Sequence, residues 1–215
     1  MEKIYVFDLD GTLVDSMPYY TRGLLGILDE EGVNYGPEMA EIITPLGYTK
    51  SAHYFREHFG LQESVAALVQ RMQERLVGDY EQNIRLKPGV YDYLRYLHEG
   101  GARLFVLTAS PHCATDACLR HNGVFDWFET VWSVEDFGLD KTDTRLFFAV
   151  AQKIGCAPAD VQYFDDNLTT LQNAHAAGYC TYGVFDGQKE DMLAAMRPHA
   201  DHMVMRFDTL LPKAQ

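Results

Sequence analysis

Ile4-Tyr5-Val6-Phe7-Asp8-Leu9-Asp10-Gly11-Thr12-Leu13-Val14-Asp15-Ser16 opens almost at the start of the chain. Four apolar residues in a row predict a strand covered on both faces, because a half-exposed strand alternates apolar and polar positions. The run ends in two carboxylates two residues apart and an Asp-Gly pair, a strong turn signal between apolar residues. A tight turn would leave both acids at the carboxyl end of the strand. It gives no reason for placing two acids there.

Working outward, two later apolar runs end comparably. Residues 103–107 lead into Thr108-Ala109-Ser110, and residues 161–164 into Asp165-Asp166-Asn167. Further strands are predicted at 130–133, 180–184 and 203–205, with helices at 114–121, 146–154 and 168–177. Strands alternating with helices imply βαβ units, hence a Rossmann-like, doubly wound, mostly parallel sheet. In such sheets ligands bind beyond the carboxyl ends of the strands. One edge would therefore collect two acidic pairs and a hydroxyl. Crowded carboxylates repel one another, and a hard divalent cation with oxygen ligands resolves the conflict.

Residues 18–85 follow a different pattern. Leu24, Leu25, Ile27 and Leu28 suggest one amphipathic helix, and Val65, Leu68, Val69, Met72 and Leu76 repeat with the helical period. Strand-like runs are scarce. The segment is expected to be an inserted helical domain, with residues 1–17 and 86–215 forming the core. The chain re-enters the core at Lys87-Pro88-Gly89, with Pro88 expected in the first turn of a helix over 90–99.

The 215 residues suit one domain with an insertion, and 47% apolar content is enough for a true core. A net charge of −13 argues against a nucleic-acid partner, which needs Lys and Arg patches. No apolar run approaches the roughly 18 residues of a membrane span, so no membrane partner is expected. The opening residues run straight into a strand, so no signal peptide is expected and the cytoplasm is the expected location. Cys113, Cys118, Cys156 and Cys180 form no C-x-x-C pair and match no zinc spacing.

On these residues the chain closely resembles the haloacid dehalogenase superfamily over nearly its whole length. Asp8-Leu9-Asp10-Gly11-Thr12 matches the D-x-D-G-T first motif. Thr108 matches the second, Lys141 the third, and Asp165-Asp166 the acidic pair of the fourth. Relatives commonly carry prolines after the third-motif lysine, where this chain has Thr142-Asp143-Thr144. The resemblance implies a phosphatase acting on a small phosphorylated metabolite through an aspartyl phosphate. Asp8 is the implied nucleophile and Asp10 the acid and base. Mg²⁺ would be held by Asp8, Asp10, Asp166 and, directly or through water, Asp165. Thr108, Ala109 and Lys141 would bind the phosphate. The insertion would be a helical cap, with Tyr20, Gly47 and Lys50 as substrate-facing candidates, in a monomer or dimer. A β-phosphoglucomutase-like mutase is the alternative within the superfamily. A non-enzymatic phospho-aspartate signalling domain is the alternative outside it, but it would carry its acidic pair early and lack a cap.

Overall fold

The apolar runs form the strands. The computed structural model describes residues 3–212, and six strands lie side by side, all parallel: β1 (Ile4–Phe7), β2 (Arg103–Thr108), β3 (Thr130–Ser133), β4 (Val161–Asp165), β5 (Cys180–Val184) and β6 (His202–Val204). Their order is β3-β2-β1-β4-β5-β6, the doubly wound arrangement. β1 sits at the switch point, with Phe7 opposite Val106 on one side and Phe164 on the other. The residues that follow these partners leave the sheet at the same edge.

β6 falls one residue earlier than apolar content suggests. It is an edge strand, and pairing of Tyr182 with His202 and Val184 with Val204 sets its limits. Met205, expected inside it, lies beyond it and is exposed.

The chain divides into two compact units, Met1–Asp15 with Arg85–Gln215, and Ser16–Ile84. The second is helical: α1 (Met17–Glu30), α2 (Met39–Ile43), α3 (Gly47–Phe59) and α4 (Val65–Gln82). It has its own core, in which Leu24, Ile27, Leu28, Ile43, Phe55, Leu68 and Met72 are buried. Ser64 starts α4 by accepting the N–H of Ala67 at 3.2 Å, and Leu68, Met72 and Leu76 then fall on one buried face.

In the larger unit the sheet is flanked by α5 (Val90–Glu99), α6 (His112–His121), α7 (Thr144–Ile154), α8 (Leu168–Ala176) and α9 (Glu190–Met196). On α7, Leu146, Phe147, Val150, Ala151 and Ile154 are buried, and Phe147 meets Tyr163 edge-on at 5.4 Å. Burying a large side chain of this kind stabilises by about 1.5–3 kcal/mol. The Asp143 cap of α7, accepting from Arg145 N, is an exposed contact and adds less. Packing, more than capping, therefore fixes α7 and the short approach to it that carries Lys141.

Pro88 is not in the first turn of α5 as the sequence suggests. Gly89 is the N-cap, in the left-handed conformation with φ of +83°, and Pro88 precedes it. The tail passes so close that a β-carbon on Gly89 would stand 2.6 Å from the Asp208 nitrogen. Gly89→Ala is therefore expected to destabilise the protein by roughly 1–3 kcal/mol. Urea unfolding should show this as a lower midpoint at unchanged slope; an unmoved midpoint would mean the tail yields freely.

Candidate active site

The first acidic segment is a turn whose strands do not continue as a hairpin. The Leu9 carbonyl accepts from Leu13 N at 2.9 Å and Val14 N at 3.0 Å. Asp8 N donates to the Phe164 carbonyl at 2.9 Å, extending the β1–β4 ladder by one residue and setting Asp8 beside Asp165. Gly11 has φ of +73°, and a β-carbon there would stand 2.7 Å from Asp166 Oδ2. Only a glycine lets the Asp166 carboxylate lie against this loop.

Lys141 binds across the gap. Its Nζ donates to Asp8 Oδ1, and to Asp165 Oδ2 at 3.0 Å. Asp165 is further held by the Tyr163 hydroxyl, donating to Oδ2 at 2.7 Å, and by Asn167 N, donating to Oδ1 at 2.8 Å. The turn after Lys141 lacks the prolines common in relatives, and carboxylates brace it instead. Asp140 Oδ1 accepts from Thr142 N and Asp143 Oδ1 from Arg145 N, each at 2.9 Å.

Thr108 ends β2, buried, and its hydroxyl oxygen accepts from Ser110 N at 3.0 Å. Ser110 Oγ in turn donates to Asp10 Oδ2 at 2.6 Å. A cavity of about 300 Å³ is lined by Asp8, Asp10, Thr108, Ala109, Lys141, Asp165 and Asp166, together with Asp140, Thr142, Asn167 and Thr170. Every site residue expected in the larger unit thus lines one cavity.

Burial raises the Asp8 carboxyl to about 8. Lys141 opposes the rise, and Asp165 and Asp10 add to it. Burial likewise pushes Asp166 well above the usual carboxylate range, with Asp165 and Asp8 adding repulsion. For Lys141 burial alone would lower the pKa, but Asp165 and Asp8 outweigh it and hold the ammonium protonated. One lysine cannot compensate three carboxylates. Asp8, Asp165 and Asp166 present oxygens within 4.8 Å of one another, and no described residue donates a hydrogen bond to the Asp166 carboxylate. An all-oxygen, acid-rich cluster with one uncommitted carboxylate fits a hard divalent cation.

In the helical unit, Tyr20 on α1 meets Tyr48 edge-on at 5.0 Å. A β-carbon on Gly47 would stand 3.9 Å from the Tyr20 hydroxyl, and Lys50 is exposed on α3. Tyr20 and Gly47 are neighbours within that unit.

Sequence inspection missed Ser110, Tyr163 and Asn167. The signal for Tyr163 was present: two residues before Asp165 on a strand, it must share that residue's face. His112 opens α6 and pairs with Asp136 at 2.9 Å, which raises its pKa through that hydrogen bond.

The doubly wound parallel sheet gathers acids, a hydroxyl and a lysine in one cavity at the carboxyl edge of its strands, and the family match makes this Rossmann-like core that of an enzyme, a hydrolase. The chain belongs to the haloacid dehalogenase-like hydrolase family, whose model matches residues 2–178. Among curated relatives, it is 27% identical to the phosphoglycolate phosphatase of Yersinia pseudotuberculosis, over 96% of this chain and 90% of that one. It is 21% identical to the phosphorylated carbohydrates phosphatase of Thermotoga maritima, over 83% and 82%. Among solved structures, a Thermotoga maritima protein provisionally named a beta-phosphoglucomutase superposes with a TM-score of 0.84 at 21% identity, covering 98% of this chain and 97% of that one. At that identity the likeness concerns the fold.

Proposed function

We propose that this chain is a magnesium-dependent phosphatase that hydrolyses small phosphate monoesters through a phosphorylated Asp8. The observation that carries it is the cavity in which Asp8, held by Lys141, faces Asp10, Thr108 and Asp166. Phosphatase relatives over most of the chain support it.

Asp8, Asp166 and the Asp10 carbonyl would hold Mg²⁺, with Asp165 completing the cluster while its oxygens hold Lys141. When bound, the ion neutralises phosphate charge and orients the ester. The remaining work belongs to the side chains. An Asp8 carboxylate oxygen attacks phosphorus as the ester P–O bond breaks, and the Asp10 carboxyl gives its proton to the departing alkoxide. Water then attacks the phosphorus of the acyl phosphate and yields its proton to Asp10. Inorganic phosphate leaves and Asp8 is restored. Lys141, the Thr108 hydroxyl and the backbone at Ala109 bind the phosphoryl oxygens. Ser110, bonded to Asp10, orients the acid. The helical unit is the cap that reads the leaving group, with Tyr20, Gly47 and Lys50 as its candidate contacts.

Purified protein with Mg²⁺ and a panel of phosphate esters should release inorganic phosphate from at least one small ester. Phosphate release from none would sink the proposal. Incubation with β-glucose 1-phosphate and a trace of the 1,6-bisphosphate tests the mutase alternative. A mutase must hold the acyl phosphate against water, which calls for a titrating group coupled to Asp10. Tyr20 on α1, a candidate cap contact, is not such a group: burial pushes its phenol pKa further up, and it stays neutral near pH 7. Free phosphate is expected; sustained glucose 6-phosphate with little free phosphate would reverse the assignment.

A further inference from the structure

We infer that Lys87, outside every motif of the site, is a positioning residue that holds the carboxylate cluster in shape for its cation. This rests on the metal-dependent function proposed above. The Lys87 ammonium donates to the Gly11 carbonyl and to the Phe185 carbonyl at 3.1 Å, and pairs with Asp186 Oδ1 at 2.5 Å. The Lys87 and Asp186 side chains are each only 12% exposed. An ammonium has three donors, and all three find an acceptor here.

The partners tie together two loops that follow different strands, and one of these holds a third. Gly11 belongs to the turn after β1 and lies directly against the Asp166 carboxylate. Phe185 and Asp186 follow β5. Gln188, in the same loop, accepts from Asp186 N at 2.6 Å and donates to the Asp166 carbonyl at 3.0 Å and the Val184 carbonyl at 3.3 Å. Asp166 follows β4. It is thus braced from one side by Gly11 and from the other by Gln188, and Lys87 fastens both braces to each other. The lysine itself is anchored: Lys87 N donates to the Leu13 carbonyl at 2.9 Å, and Asp15 N to the Arg85 carbonyl at 3.1 Å, so the departing and returning chain passages are paired.

Without the ammonium, two partly buried carbonyls and the Asp186 carboxylate lose their common partner, which is costly at low exposure. Asp186 is then free to move away from the other acids, taking Gln188 from Asp166. Outer residues that orient metal ligands typically change metal affinity by about 10–100-fold.

The sign of the effect makes the test decisive. A positive charge near a cation site weakens binding by simple repulsion, so removing it should tighten binding. A positioning role requires the opposite. Mn²⁺, counted as free ion by electron paramagnetic resonance, is the probe, with no substrate present. The wild type should bind one Mn²⁺, lost in Asp166→Asn. Lys87→Met, checked for native circular dichroism, should bind it at least about tenfold more weakly, and kcat at saturating metal should fall while KM stays within about twofold. Lys87→Gln, which keeps a donor without the charge, is measured in parallel and decides the matter if Lys87→Met does not fold. Equal or tighter Mn²⁺ binding in a folded variant overturns the inference, because a merely structural lysine would lower the melting temperature without weakening metal affinity. A wild type that binds no Mn²⁺ would instead overturn the metal-dependent function, and the role of Lys87 with it.

Discussion

Asp8→Asn is expected to abolish turnover, by about 10⁴-fold or more, while leaving the protein folded. An amide has no carboxylate oxygen to attack phosphorus, and loss of a nucleophile is among the largest single effects known in enzymes. The variant should fold because ionised Asp8 is a burden on the metal-free protein. Its pKa rises from an ordinary carboxylate value to about 8 on folding, chiefly through burial. Between those two values the native state binds more protons than the unfolded chain, so stability falls as pH rises through that window. The neutral amide removes that dependence, and Lys141 keeps Asp165 as a partner at 3.0 Å. The check is phosphate release alongside thermal unfolding at pH 8. A variant with more than about a tenth of wild-type turnover, well above the residual left by a missing nucleophile, would remove Asp8 from the covalent role.

Removal of divalent cations is expected to be nearly as severe. Activity should vanish in excess chelator, return with Mg²⁺, and be inhibited by Ca²⁺. Calcium takes more ligands at longer bonds than the octahedral magnesium ion, and would misplace a nucleophile that is itself a ligand. Thermal unfolding supplies a second readout. Because burial and mutual repulsion raise Asp8 and Asp166, a cation must displace protons to bind at low pH. Stabilisation by Mg²⁺ should therefore grow as pH rises toward 8. At a metal concentration near a hundred times its dissociation constant it should reach about 5–10 °C. Full hydrolysis in chelator, with metal content verified, would exclude the ion from the mechanism.

Much of this protein was legible in its sequence, for local reasons. Apolar runs such as Ile4–Phe7 must be buried strands wherever they end up, and the alternation of strands with helices implies a parallel sheet. Asp8, Asp10, Thr108, Asp165 and Asp166 stand at or just beyond strand ends, so their common edge follows once the sheet is parallel. The period of Leu68, Met72 and Leu76 marks a helix face without reference to any partner. Where local reasoning erred, at Pro88 and at Met205, a tertiary neighbour decided the outcome: the tail against Gly89, and the pairing of β6 with β5.

The links between those residues were decided only by the tertiary structure. Lys141 reaches Asp8 across 133 positions, Ser110 reaches Asp10 across 100, and Lys87 reaches Gly11 across 76. Nothing in the local pattern of a lysine tells whether it will be solvated or buried between acids. That depends on β4 lying next to β1 and on the packing of α7, which brings Lys141 to the gap. A residue's own chemistry and its near neighbours determine what it can do. Which charge it meets depends on strand order and helix packing, because these alone bring distant parts of the chain within hydrogen-bonding distance and exclude the water that would otherwise screen them.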